Sequence, residues 1–327
     1  MPNNNDDKEL PIHSAAHILG FNINGTRTAV VYGDLNGLVY ERLQLETPRD
    51  EPFISSLDIL CRVAEKLLVI VQAQRLPSPD LVSVAISGDL DQDLGVLEFS
   101  PGLPEWKAAP IKGRMSIRFN LPIFLEQEAN AGALAEYYFG AGQDYQNLVF
   151  LSMEPTLRAG ILSNGQVYRS PGGYSGNLGK IKLAKHGPAG YGQPGSLNGF
   201  ASASGMVELA HLRFPGYWDS DLGIYQLVEA ARNGDLNASQ VFAEAGDWLG
   251  QGLCPLVHLL HPQVMIVGNP GCLLEEVMLV PARLALEKCA NLPMEALPEL
   301  VPAGLGAKLT DISALVAAID HYRKQSL

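Results

Sequence analysis

Four residues able to do chemistry crowd into the stretch Leu121 to Gly142: Glu126, Gln127, Glu128 and Asn130. A carboxylate can take a proton from a hydroxyl, and a carboxamide can both donate to and accept from one. The flanking residues say how such a set is held. Ile123 to Leu125 predicts a short buried strand, and Ala131 to Phe139 predicts a helix rich in Ala, Leu and Glu, which are strong helix formers. Gly140 and Gly142 suit the helix exit. Polar groups at the carboxyl end of a strand, beside a helix N-terminus, are where α/β folds place ligands. The competing reading is a solvated turn whose carboxylates favour the dipole of the helix that follows.

Composition narrows the function classes. Of 327 residues, 47% are hydrophobic and only 18% charged, enough for a large core and too apolar for long disorder. The length suits two domains. The net charge of −12 comes with no long Lys/Arg run, so nucleic acid is not expected as a direct partner, because neutralising phosphates needs clustered cations. No apolar run is long enough to span a bilayer, and Met1 to Glu9 is polar and acidic, unlike a signal peptide. Cys61, Cys254, Cys272 and Cys289 lie far apart with no CxxC, which points to reduced thiols in the cytoplasm and no zinc site.

Read in order, residues 1–14 form a polar tail. His17 to Ile23, Thr28 to Tyr32 and Leu38 to Leu45 predict three strands joined by the tight turns at Asn24-Gly25 and Asp34 to Gly37. Phe53 to Gln74 carries apolar residues at helical spacing and ends before Pro77. Leu81 to Ile86 is a strand that leads into Ser87-Gly88-Asp89. Gly95 to Phe99 is a short strand, Trp106 anchors the turn after it, and Lys112 to Phe119 is a short helix. Asn147 to Ser152, Leu157 to Leu162 and Gln166 to Tyr168 predict strands again. Pro171 to Gly199 then carries nine Gly and three Pro, too many for regular structure. Helices around Val207 to Leu212, Ile224 to Arg232 and Ala238 to Leu260 follow, with a core strand at Val264 to Val267 and closing helices at Leu273 to Ala290 and Ile312 to Lys324. Two halves that each open with antiparallel strands and continue as βα units predict a duplicated α/β fold with a cleft between them.

Several segments resemble the ROK proteins, a group of bacterial sugar kinases and sugar-responsive repressors. They are Leu19 to Thr26, Ala129 to Gly142, Asn147 to Val149, Gly172 to Gly179, Glu229 to Asp235 and Val264 to Gly268. The resemblance implies the actin-like ATPase (ribonuclease H-like) fold: two lobes with an interlobe cleft. On this chain it implies an N-terminal lobe at 15–120, completed by a closing helix at 306–327, and a C-terminal lobe at 121–305. By position it places Asn22, Asn24, Gly25, Thr26, Arg158 and Gly268 on the nucleotide and phosphate side. Gln127, Glu128, Asn177 and Asn198 fall on the sugar side, with Glu128 as the candidate base.

The departures from the family pattern matter as much. The first phosphate loop, Asp-x-Gly-Gly-Thr-Lys in the family, is Asn22-Ile-Asn-Gly-Thr-Arg27 here, and a neutral carboxamide is a weaker Mg²⁺ ligand than a carboxylate. Gln127-Glu128 stands where the family has Asn-Asp, so the candidate base is one methylene longer; a displacement of about 1 Å can cost on the order of 10²-fold in rate. The second loop, Gly-Thr-Gly-x-Gly-x-Gly, is Glu154-Pro-Thr-Leu-Arg-Ala-Gly160 here, which loses glycines that let backbone N–H groups approach phosphate. The family's zinc ligands, one His and three Cys, are replaced by Lys180, Ala189, Tyr191 and Ser196, and its two sugar-contacting Glu by Asn177 and Asn198.

The leading expectation is a non-catalytic sugar-binding or regulatory module in the cytoplasm, a homodimer. It takes a sugar or sugar phosphate as ligand and no metal or cofactor, and it has no direct nucleic-acid or membrane partner. Too few residues precede the first strand for the DNA-binding helix-turn-helix of the family's repressors. The alternative is an active ATP-dependent hexose kinase (glucokinase, fructokinase or N-acetylhexosamine type) with an atypical site, which would use ATP and Mg²⁺. A scaffold without a small ligand is the third reading. Whether the chain is an enzyme stays open between them.

Overall fold

His17–Ile23 (β1) and Leu81–Ile86 (β4) are runs of apolar residues buried along almost their whole length, as strands covered on both faces must be. They pair in parallel at the centre of a five-stranded sheet. Arg27–Asp34 (β2) and Val39–Glu46 (β3) complete a meander with β1, and the strict alternation of half-buried and exposed residues in β3 marks it as the edge. Phe53–Ala73 (α1) covers one face. A hairpin of Asp89–Asp91 (β5) and Val96–Phe99 (β6) leaves the end of β4, and Ile111–Phe119 (α2) leads to Ile123–Gln127 (β7). Trp106 is fully buried before α2, its ring 5.0 Å from that of Phe53. The computed structural model describes residues 16–325; the tail expected at 1–14 and the last two residues of the segment 306–327, where a closing helix is expected, lie outside them.

The second half repeats the first. After Glu128–Phe139 (α3), Leu148–Ser152 (β8), Arg158–Ser163 (β9) and Gln166–Val167 (β10) form an antiparallel meander. The irregular segment predicted from Pro171 onward contains only short 3₁₀ turns before Leu197–Ala201 (α4). Ala203–Arg213 (α5), Ile224–Arg232 (α6) and Leu236–Leu260 (α7) follow, and Asp235 caps α7 by accepting from the Ala238 N–H at 2.8 Å. Val264–Val267 (β11), Val280–Ala290 (α8) and Glu299–Pro302 (β12) lead to Leu309–Gln325 (α9). The strand orders are β3-β2-β1-β4-β7 and β10-β9-β8-β11-β12, with the same alternation of antiparallel and parallel pairs.

Three expectations are corrected here. β7 pairs with β4, so residues 123–127 belong to the first sheet although the boundary at 121 assigns them to the second lobe. β12, which the sequence reading lacked, is their counterpart in the second sheet. The helix expected from Leu273 begins only at Val280, after a 3₁₀ turn and a π turn; Pro281 has no N–H to continue an upstream hydrogen-bond ladder. Between the sheets, α3 and α9 pack on each other, α3 against β8 and α9 against β1 and β4, in a core that includes Ala131, Leu134, Phe150, Ile266 and Val316. The carboxyl ends of β1, β8 and β11 open on a cleft there.

Candidate functional site

Gln127 ends β7 and caps α3: its Oε1 accepts from the N–H groups of Ala129 and Asn130, at 2.9 and 3.2 Å. Glu128 is therefore the first residue of the helix and half-buried, facing the cleft rather than forming a solvated turn. It lines a cavity of about 50 Å³ together with Asn22, Asn24, Ser152, Glu154 and Gly268. Removal from water pushes the Glu128 carboxyl up to about 8, the negative charge of Glu154 adds to this, and a hydrogen bond from Ser87 and the charge of Arg158 oppose it. At neutral pH Glu128 is mainly protonated. Burial also raises Glu154, against a hydrogen bond from Tyr225 on α6 and the charge of Arg27.

The residues assigned to phosphate have other occupations. Asn22 is buried and its Nδ2 donates to the Thr310 carbonyl at 3.3 Å, tying β1 to the first turn of α9; its Oδ1 has no hydrogen-bond partner. Asn24 Oδ1 closes the β1–β2 turn by accepting from the N–H groups of Thr26 and Arg27, at 2.9 and 2.8 Å. Gly25 faces Gly102, where an added Cβ would lie 2.5 Å from the Gly102 Cα, so the loop tip is packed against chain rather than open to a ligand. Thr26 is exposed, and Gly268 lines the cavity at the end of β11.

Arg158 does not face the 50 Å³ cavity. It leaves the start of β9, only 6% exposed, and ion-pairs with Asp89 on β5, 5% exposed. Asn177 Nδ2 donates to the same Asp89 Oδ1 at 3.3 Å and to the Tyr174 carbonyl at 3.1 Å. One buried carboxylate thus gathers groups from both halves of the chain. The Arg158 Nη1 is buried without a hydrogen-bond partner. Farther along the irregular segment, the exposed Tyr191 hydrogen-bonds Arg49 in the turn after β3. Asn198 is buried, and its Oδ1 accepts from the Leu157 N–H at 2.7 Å, so it holds the second loop to α4.

The four expected sugar-side residues are therefore not gathered around one cavity. Gln127 lines a separate cavity of about 290 Å³ with Glu126, Asn130, Asp91 and Arg169. Glu126 is 1% exposed there; it receives Asn130 Nδ2 at 3.0 Å and Arg169 Nη2 at 2.6 Å. Sequence reasoning missed Ser87, Asp89 and Arg169. The first two stand in the Ser-Gly-Asp that ends β4, a strand's carboxyl end where ligands gather, and this was the available signal. At the positions where the resemblance expects zinc ligands, Lys180 is exposed and Ala189, Tyr191 and Ser196 carry no thiolate or imidazole, a donor set that does not fit zinc. Among the described residues no group of three or more His, Cys, Asp or Glu is placed to hold a metal ion. No helix among them is long and apolar enough to cross a membrane.

Comparison with known proteins gives the site its context. The pattern described as the ROK family matches residues 18–319. A glucokinase of Thermotoga maritima is 24% identical over 277 residues, which cover 81% of this chain and 86% of that protein. A xylose repressor of Bacillus subtilis is 24% identical over 242 residues, covering 74% of this chain and 61% of the repressor. Among solved structures, a ROK family glucokinase of Streptomyces griseus in complex with glucose and AMPPNP superimposes with a TM-score of 0.79 at 26% identity, covering 94% of this chain and 100% of that one. The architecture is the actin-like ATPase fold shared by such sugar kinases.

Proposed function

Because this chain belongs to the ROK family, we propose that it is a non-catalytic member, a cytoplasmic sugar-binding or regulatory module that acts as a homodimer. The observation that carries this reading is the cleft itself. The cavity at Glu128 is about 50 Å³, against roughly 300–1,000 Å³ for sites that hold small molecules, and it has Glu128 and Glu154 on its wall. A nucleoside triphosphate brings several negative charges to a place lined by the carboxyl groups of Glu128 and Glu154, where the glycine cradle is missing. Around the cavity, the buried Arg158–Asp89 pair and the Tyr191–Arg49 contact join the two halves. Neither the cavity nor the Asn22 carboxamide fits ATP with Mg²⁺, and no phosphoryl-transfer step is assigned to these residues.

The sugar is assigned to the cavity of about 290 Å³ beside Gln127. Its carboxylates, carboxamides and guanidinium supply the mixture of donors and acceptors that a polyhydroxy ligand uses. Glu126, Gln127, Asn130 and Arg169 make up this recognition set, and Asn177, donating to the Tyr174 carbonyl, holds the segment beside it. One observation favours the alternative reading, an atypical ATP-dependent hexose kinase: the carboxyl of Glu128, the candidate base by resemblance, is raised to about 8, close to the range in which general bases work.

A thermal-shift screen of hexoses, amino sugars, sugar phosphates and nucleotides, with and without Mg²⁺, tests the proposal. A ligand that binds only the folded chain at 100 times its Kd adds about 2.7 kcal/mol of stability. The expected result is a rise in Tm with a sugar, lost in Arg169→Ala, and none with nucleotide. A rise with ATP and Mg²⁺ would transfer the reading to the kinase.

A further inference from the structure

The helices α7 and α8 pack side by side along the outer layer of the second half. Gly250 on α7 allows an unusually close approach: a Cβ there would lie 2.2 Å from the Ala282 carbonyl oxygen and 2.8 Å from both the Ala285 Cβ and the Leu286 nitrogen of α8. One turn further along α7 stands Cys254, and one turn beyond Ala285 stands Cys289. The Cys289 thiol hydrogen-bonds the Cys254 thiol. Cys254 is 7% exposed, whereas Cys289 is open to solvent, and both are free thiols. Helices this close can bring facing Cα atoms within the ~4.4–6.8 Å that a disulfide spans.

We propose that Cys254 and Cys289 form a redox-responsive dithiol, oxidised to an intrachain disulfide by small-molecule disulfides. The exposed Cys289 thiolate attacks one sulfur of the oxidant, forming a mixed disulfide and releasing one small thiolate. Cys254 then loses its proton and attacks the Cys289 sulfur, which expels the second small thiolate. The two electrons leave the protein thiols and reduce one oxidant disulfide to two thiols. Burial and the neighbouring Cys289 hold the Cys254 thiol up, to about 11, so the second step quickens as pH rises. The covalent ring so closed contains β11 and the Gly268-Asn269 turn that lines the cleft cavity. Oxidation therefore closes a covalent ring that contains this wall of the cleft. The remaining cysteines have no such partner: Cys61 is buried on α1, and the Cys272 Sγ donates to Asn269 Oδ1 at 2.9 Å.

The test is incubation of the full chain with oxidised glutathione across pH 7 to 9, alkylation of the remaining thiols, and intact-mass and fragmentation mass spectrometry that separates Cys254 from Cys272. The expected product has lost two hydrogens and carries a Cys254–Cys289 bridge. It forms faster at higher pH, melts at a higher temperature than the reduced chain, and reverts with dithiothreitol. Cys289→Ser should abolish the bridge, while Cys254→Ser should stop at the glutathione adduct on Cys289; Cys272→Ser should change nothing. A stable glutathione adduct as the end product of the unsubstituted chain, a dimer cross-linked through Cys289, or a bridge that uses Cys61 or Cys272 would each overturn the proposal. Mapping on the unsubstituted chain decides the matter even if a serine variant fails to fold.

Discussion

Replacing Arg158 with alanine should be among the most destabilising single changes in this chain. The guanidinium and the Asp89 carboxylate are 6% and 5% exposed, so each is charged in a place nearly closed to water. Without Arg158, Asp89 keeps only the Asn177 carboxamide, at 3.3 Å, and a neutral donor at that distance compensates little of a buried charge. Breaking a buried pair by removing one partner typically costs about 3–5 kcal/mol, a large share of the roughly 5–15 kcal/mol that holds a folded chain together. Arg158→Ala/Asp89→Asn leaves no charge behind and should recover about 2 kcal/mol relative to the sum of the two single changes, a coupling typical of partners in direct contact. Urea unfolding at neutral pH, followed by far-UV circular dichroism, measures all four members of the cycle. A cost below about 1 kcal/mol for Arg158→Ala, with no coupling to Asp89, would refute the buried cross-cleft pair.

Further outcomes follow from the same site. The folded-state carboxyl of Glu128, near 8 against an ordinary 4.5, binds more protons than the unfolded chain does between those values. Stability should therefore fall as pH rises through that window. Glu128→Gln, which cannot ionise, should match the parent at pH 4 and melt higher at pH 9, by about 2 kcal/mol after allowance for partial exposure, or roughly 4 °C; an unchanged pH profile would remove Glu128 as the cause. Glu154→Gln removes the second cause of that shift, and the Glu128 titration followed by carbon NMR should move down in pH; a Glu128 titration left in place would separate the two carboxyls. Elemental analysis of chain purified without chelator should find far less than one zinc per chain, since Lys180, Ala189, Tyr191 and Ser196 offer no thiolate; stoichiometric zinc would contradict the reading of the irregular segment.

Much of the fold was legible because burial writes itself into the sequence locally. β1 and β4 are apolar runs, β3 alternates, and α1 repeats its apolar residues at helical spacing, so each could be placed from its own residues. β5 and β12 could not. Asp-Leu-Asp and Glu-Leu-Val-Pro are short and half polar, and partners far away in sequence make them strands. The stretch around Glu128 was legible as a strand end feeding a helix N-terminus. What its neighbours do was not, because Arg158 and Asp89 are 69 residues apart and no periodicity links them. Position relative to the family pattern pointed Arg158 toward phosphate, yet its length and charge carry it to Asp89. His258 and His261, on and just past the end of α7, are both exposed, and His261 adopts the left-handed conformation that ends the helix. Their place on an apolar helix did not say which face they occupy.

Coupled detection of ADP release over a panel of hexoses at millimolar ATP and Mg²⁺ decides whether this ROK member transfers phosphate. A non-catalytic member shows no sugar-dependent release above background, for the unsubstituted chain and for Glu128→Gln alike. Sugar-dependent turnover in the unsubstituted chain that disappears in Glu128→Gln would contradict that reading and make Glu128 the base of a working kinase.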